Sequence, residues 1–203
     1  MSKRRGKEHE FLGMKFILKK GKVIISMKKH IKKAIDSILD DITRTAASPA
    51  NNNLFQVQHE AEFLDEEHTD NYHSVVALLL YISRRCRLDI QTAVGCLTTK
   101  VSNPNEGDWK KAERVPQYLN GTIDLTLTLG ADDITQMKLW VDVSNGVHDD
   151  DSRSHTAGCV SFGWGVLLTK CQKQKLNVKS STEGEIVGVS DFLPNMIWAR
   201  MFL

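Results

Sequence analysis

Apolar residues recur at helical spacing from Met27 to Gly121 and alternate one by one after it, and this change of period divides the chain more firmly than any single motif. Ile31, Ile35, Ile38 and Ile42 fall on one face of a helix that starts at Met27, with Ser26 placed to cap it. "HSVVALLLYISRR" is apolar almost all round, which puts it at the centre of a helical unit. Ile90, Val94, Leu97 and Val101 form another stripe, and "EGDWKKAERVPQYLNGT" reads as a helix closed by Gly121. Beyond it "LTLTL" and "MKLWVDVS" alternate as strands. "AGCVSFG" and "GVLLTKC" predict a hairpin turning at Gly163–Trp164–Gly165, and "LNVK" a further strand. Ahead of the helices, "FLGMKFIL" and "KVIISM" predict two strands joined at Gly21, and the polar, acidic stretch 45–71 a loop. The expected fold is therefore α+β or α/β. A basic tail and hairpin occupy residues 1–26, a helical region 27–122, and a sheet with one helix 123–203.

With 203 residues, 41% hydrophobic and 26% charged, the chain can bury a sizeable core. It has no run of about 18 apolar residues, so no transmembrane helix is expected. The start "MSKRRGKEHE" lacks the apolar segment of a secretory signal. Cys86, Cys96, Cys159 and Cys171 show no CxxC pairing, which predicts free thiols and an intracellular setting, cytoplasmic or nuclear.

A net charge of +2 conceals a strong asymmetry: residues 1–35 carry +10 and residues 36–72 carry −8. Such a basic head suits a polyanion. Lys28, Lys29, Lys32 and Lys33 crowd the early turns of the first helix, while Asp36, Asp40 and Asp41 crowd its late ones. That order opposes the helix dipole. Either a phosphate sits near the helix start, or the lysines form a solvated face.

The segment "NVKSSTEGEIVGVSDF" carries two overlapping helix-start signals, Ser180 to Glu183 and Thr182 to Glu185. Ile186, Val189 and Leu193 follow as the expected buried stripe. Glu183 fits a capping role. Glu185 lies one step further in, where it caps as well or faces a cleft. Asp142 sits inside the strand "LWVDVS" on the face opposite Leu139, Val141 and Val143, an unfavourable place for a carboxylate. It belongs either to a solvated strand face or to a metal site shared with Glu185.

"VDVS", "RSHTAG" and "KQKLNVKSSTEGEIVGV", in that order, resemble the start of the RNase H domain of copia-type retrotransposon polyproteins. "FLGM", "SMKKHIKKAI", "ALLLYISRRCRLDIQTAVGCL" and "VSNPNEGDWKKAERVPQYLNGT" fall in the same family's order upstream, so the resemblance runs from about residue 10 to the end. It implies the end of a reverse transcriptase palm in the hairpin, a thumb-like helical region over 27–122, and a partial RNase H-like mixed sheet over 123–203. It implies further that Asp142 and Glu185 are metal carboxylates for Mg²⁺ and that Glu183 is not. The partner it implies is an RNA–DNA hybrid or DNA duplex, together with the remaining polyprotein segments, and no membrane. Lys28, Lys29, Lys32, Lys33 and Arg153 are the expected nucleic-acid contacts.

The chain departs from that family at several points. The polymerase's paired aspartates and the later RNase H aspartates have no counterpart here, so a truncated copy, inactive by itself, is expected. Pro116 inside a thumb helix is costly, and Gly184 stands where the family has alanine. Asp149, Asp150 and Asp151 lack calcium-loop spacing and predict a solvated loop. Two other classes remain open: a non-catalytic nucleic-acid-binding remnant, and a pseudogene product without a stable fold.

Overall fold

The computed structural model describes residues 6–38 and 43–201. Ile42, Asp40 and Asp41 of the expected first helix lie outside the described residues.

Three strands form a meander, β1 (Glu8–Phe11), β2 (Met14–Lys19) and β3 (Lys22–Ser26). Both connections are two-residue turns, Leu12–Gly13 and Lys20–Gly21, with φ positive at all four residues. Such turns match the right-handed twist of the flanking strands. Leu12 and Lys20 are the costly members at φ 50° and 47°, and the Tyr81 hydroxyl donates to the Leu12 carbonyl at 2.6 Å. β1 escaped the sequence reading because its four residues, Glu-His-Glu-Phe, carry only one apolar side chain.

The helices follow: α1 (Lys28–Ile38), α2 (Glu66–Arg85), α3 (Gln91–Leu97) and α4 (Glu106–Gly121), with single 3₁₀ turns on either side of α3. α2 starts within the stretch expected as a loop, because Asp65 caps it and Glu66 and Glu67 fill its first turn. Asn105 and Asp108 close a reciprocal capping box at the head of α4, and Pro116 is buried inside that helix without ending it. One core joins these elements: Ile31 and Ile35 of α1, Leu79 and Ile82 of α2, Val94 of α3 and Val115 of α4, with Met14 and Ile25 from the strands. Buried Arg87 ties the C-terminal ends of α2 and α4 together. It grips Asp89 with Nη2 at 2.7 Å and Nε at 3.0 Å, and its Nη1 donates to the Thr122 carbonyl at 2.9 Å.

β4 (Leu127–Ala131) pairs antiparallel with β3, in the register Ile25 to Leu127 and Val23 to Leu129. The first strand after residue 122 thus joins the N-terminal sheet, and the expected boundary at 122/123 does not separate the two sheets. The second sheet contains β5 (Lys138–Ser144), β6 (His155–Ser161) and β8 (Leu168–Lys173), all antiparallel in the order β5-β6-β8. Between β6 and β8, the short β7 (Gly163–Trp164) reaches across to β4, and the Lys22 ammonium sits 3.2 Å from the centroid of the Trp164 ring.

α5 (Ser181–Arg200) lies on the Val141/Val143 face of the second sheet. Its contact ridge is Gly184, Gly188 and Phe192, not the expected stripe: Ile186 is 66% exposed and Val189, Leu193 and Ile197 are also exposed. The helix is apolar on both sides, so periodicity alone does not say which side meets the sheet. Close approach decides it, since a Cβ on Gly188 would stand 2.9 Å from Val143 and 3.1 Å from Val141. "LNVK" is no strand. Val178 tucks under Gly184, and the Lys179 N–H is taken by the α5 cap.

Candidate functional site

At the head of α5, the Ser180 hydroxyl accepts from the Glu183 N–H at 3.2 Å, and the Glu183 carboxylate accepts from the Lys179 N–H at 2.7 Å. Of the two overlapping start signals, the first one forms the cap. Glu185 is half-buried and makes no hydrogen bond or ion pair among the described residues.

Asp142 pairs with Ala157 across β5 and β6 and is exposed. Side chains alternate along a strand, so Asp142 points away from the face that carries Val141, Val143 and α5. The structure therefore brings Asp142 and Glu185 to one end of the sheet but not onto one face. Among the described residues no three His, Cys, Asp or Glu side chains converge on a point that could hold a metal. As they stand, these two carboxylates do not fit a Mg²⁺ site, whose hard ion needs several oxygen ligands held together.

The lysines divide into two groups. Lys28 is paired with Asp124, and Lys29 with Glu10 at 2.9 Å. These partners, distant in sequence, offset the charge order that opposes the α1 dipole. Lys32 and Lys33 are exposed and carry no ion pair among the described residues. A second cationic group, missed in the sequence, lines an open cleft between α2 and the second sheet. Arg84, Arg85 and Lys170 surround Leu80, Leu168 and Phe192 there. About 85 residues separate the arginines from the lysine, so no local pattern announces the cluster.

The acidic turn is a loop with Asp149 and Asp150 exposed, as expected, but two of its carboxylates are engaged in ion pairs. Asp150 receives Lys173 at 2.9 Å and Lys100 at 3.2 Å, and Asp151 receives Lys173 at 2.8 Å and Arg153 at 3.2 Å. Burial alone would raise the Asp150 pKa, but hydrogen bonds from Lys173 and Lys100 hold it well below the usual carboxylate range. Arg153, expected on nucleic acid, forms an ion pair with Asp151 and keeps a 41% exposed side chain.

Beneath the turn, His148 and His155 are both buried, with His148 Nε2 3.0 Å from His155 Nδ1. His155 Nε2 lies 3.1 Å from Cys171 Sγ, which in turn reaches Thr92 of α3. Phe55, from the stretch expected as a loop, packs edge-on against His148 and tilted against His155. Burial, then His148 and Lys173, hold the His155 pKa down to about 4. Burial and Lys173 also lower that of His148. Ser154, His155 and Thr156 of "RSHTAG" are buried and form part of the junction between the helical core and the second sheet, while the Arg153 side chain stays 41% exposed. The sequence offered one clue to the junction, two histidines seven residues apart flanking a run of acids.

Comparison with known proteins gives the chain's relatives. It is 26% identical over 204 residues to the Retrovirus-related Pol polyprotein from transposon TNT 1-94 of Nicotiana tabacum, an alignment that covers 98% of this chain and 15% of that protein. It is 28% identical over 127 residues to the Retrovirus-related Pol polyprotein from transposon RE2 of Arabidopsis thaliana, covering 63% of this chain and 9% of that protein. It is also 27% identical over 128 residues to the Secreted RxLR effector protein 161 of Plasmopara viticola, covering 63% of this chain and 89% of that protein. The chain thus spans a small fraction of either Pol polyprotein, and the likeness supports a retrotransposon Pol origin. No protein-family model matches the chain, and no solved structure matches it significantly.

Proposed function

We propose that the chain is a reverse transcriptase–RNase H segment of a copia-type Pol polyprotein that contacts nucleic acid without cleaving it. The observation that carries this reading is the continuity of the likeness to the Nicotiana tabacum polyprotein, one alignment over 98% of the chain. In the reading, β1 to β3 are the end of the palm, α1 to α4 the thumb-like region, and β5 to α5 the opening of an RNase H-like domain. The parent enzyme would carry out RNA-directed DNA synthesis and Mg²⁺-dependent cleavage of RNA in RNA–DNA hybrids. Its Mg²⁺ would have to be held by carboxylates of the remaining polyprotein, since Asp142 and Glu185 do not face one another here. Bound Mg²⁺ would supply electrostatic stabilisation of the attacking and leaving oxygens.

Of the cations in these groups, Lys32, Lys33, Arg84, Arg85 and Lys170 form no ion pair among the described residues, whereas Lys28, Lys29 and Arg153 do. Binding should be sequence-independent and salt-dependent, inside the cell, in cytoplasm or nucleus. A salt series on a labelled RNA–DNA hybrid tests the reading. If about three of these cations meet phosphates, log affinity falls with log salt at a slope near −3. Changing Arg84, Arg85 and Lys170 to Gln together should flatten the slope. Absence of any salt-dependent binding would sink the proposal.

A further inference from the structure

Residues 46–58 carry no charged side chain, although the stretch 36–72 around them is strongly acidic. Ala50, Asn51, Asn53, Leu54 and Gln58 of this segment face α4 across a cavity of about 210 Å³. That volume lies below the roughly 300 Å³ at which pockets begin to take drug-sized ligands. Gln58 closes one side: its carboxamide sits on Gly107, where a Cβ would stand 2.4 Å from Oε1. Both walls come from the interior of the chain.

The α4 wall is cationic. Lys110, Lys111 and Arg114 line the cavity and no acidic side chain does. Lys110 and Arg114 stand one helical turn apart and share a face, with Lys111 beside them. None of the three forms an ion pair among the described residues. Glu113, the nearby acid of α4, accepts instead from the Trp109 indole N–H at 2.9 Å. Neutral oxygens hold two of the cations in place: Lys111 donates to the Gln56 carbonyl at 2.6 Å, and Arg114 Nη2 to the Ser48 hydroxyl at 3.3 Å. Arg114 Nε is buried and has no hydrogen-bond partner. A buried donor left unmade is costly, more so on a charged group, and calls for an acceptor. On the other wall, the side-chain amides of Asn51 and Asn53 make no hydrogen bond among the described residues.

We propose that this cavity binds the phosphate group of a phosphate monoester. The guanidinium and ammonium groups only donate, and the asparagine amides add further N–H donors, so the fitting ligand is rich in acceptors. A carboxylate or a phosphodiester brings one negative charge. A monoester brings about −1.5 to −2 near neutral pH and three free oxygens, the better match for three cations without an acid. The inference stands on the cavity and does not rest on the proposed Pol function.

Calorimetric titration of the full chain with inorganic phosphate, at fixed ionic strength, tests it. Saturable binding at one site is expected, with NMR amide shifts confined to residues 50–58 and 107–114. Lys110→Gln, at an exposed position, and Arg114→Gln should each weaken binding on the order of tenfold. Lys175→Gln, in the loop after β8, should leave it unchanged. Displacement of phosphate by a 5′-phosphorylated oligonucleotide would identify a nucleic-acid end as the source of the group. Displacement by a phosphorylated sugar and not by that oligonucleotide would identify a small free ester. Equal displacement by an oligonucleotide ending in a 5′-hydroxyl overturns the assignment to a monoester. Absence of saturable binding, or binding indifferent to both Lys110→Gln and Arg114→Gln, overturns the site itself.

Discussion

Nε2 of His148 lies 3.0 Å from Nδ1 of His155, with both rings buried where the helical core meets the second sheet. A hydrogen bond between two neutral imidazoles needs one proton. An added proton puts a positive charge in a buried site that also faces Lys173 and Lys100, and charging both rings adds their mutual repulsion. Only Asp150 and Asp151 face the pair with the opposite sign, and their ion pairs already engage those lysines, along with Arg153.

Stability should therefore fall on mild acidification. The His155 pKa is about 4 in the fold against 6.5 for a free histidine, so the unfolded chain takes up the proton first as pH drops. Its contribution is fully present above pH 6.5 and is lost between 6.5 and about 4. Linkage gives a loss of about 2 kcal/mol by pH 5 and about 3 by pH 4. Urea titrations at pH 7.5 and 5 should show it, and His155→Gln should remove most of the difference. An unchanged pH dependence in that variant would mean that other groups set it.

The two glycines of α5 should respond in opposite ways to alanine. At Gly184 a Cβ would meet Val143 at 3.3 Å and Val178 at 3.5 Å, so the methyl nearly fits. Alanine is also the better helix former by about 1 kcal/mol, and Gly184→Ala should be neutral or stabilising. At Gly188 the same atom would meet Val143 at 2.9 Å, Val141 at 3.1 Å and Thr156 at 3.2 Å. Overpacking of this kind costs about 1–3 kcal/mol, so Gly188→Ala should destabilise despite its propensity. Ile186→Ser, on the open face, should change stability by no more than about 0.5 kcal/mol. Equal effects at both glycines, or a large loss at Ile186, would place another face of α5 on the sheet.

Arg87 and Lys29 both form ion pairs, yet only one pair should matter to folding. Arg87 is 1% exposed, and its guanidinium holds Asp89 and the end of α4 together, so Arg87→Met leaves a carboxylate and a carbonyl short of partners. A loss of about 3 kcal/mol is expected. Lys29→Met should leave the denaturation midpoint where it is, because its pair with Glu10 is open to water. A midpoint insensitive to Arg87→Met would show that the α2–α4 closure rests on apolar packing alone.

Much of this arrangement was legible in the sequence, and the misses share a cause. The Lys20–Gly21 turn, a helix over residues 73–85, the pairing of β6 with β8 and the Ser180–Glu183 cap follow from local chemistry, although that helix buries one face only and Gly163–Trp164 is a strand where a turn was expected. The pairing of β3 with β4 joins segments about a hundred residues apart, and nothing in "LTLTL" names its neighbour. The same holds for Lys28 with Asp124 and for the Lys100–Asp150–Lys173 network. On α5, two apolar sides made periodicity ambiguous, and tight glycine packing settled the matter. Asp142 was correctly read as lying opposite Val141 and Val143, but alternation alone did not reveal that α5 covers the valine side.

That last placement bears on catalysis: the chain alone should not cleave the RNA strand of an RNA–DNA hybrid with Mg²⁺ or Mn²⁺. Two divalent ions about 4 Å apart repel by about 17 kcal/mol at an effective dielectric near 20. Converging anionic oxygens have to offset that repulsion. Here Asp142 points away from the α5 face, and no third acidic or histidine side chain joins it and Glu185 among the described residues. Mg²⁺ should correspondingly raise the melting temperature no more for the wild-type chain than for Asp142→Asn. Supplying the downstream polyprotein segment, in cis or as a second chain, should bring cleavage that Asp142→Asn and Glu185→Gln each spare. Glu183→Gln should leave that cleavage in place, since Glu183 holds the Lys179 N–H and costs only about 1 kcal/mol of helix capping when lost. Cleavage by the unsupplemented chain, lost in Asp142→Asn, would show that the two carboxylates suffice and that the site closes in a way the strand alternation does not allow.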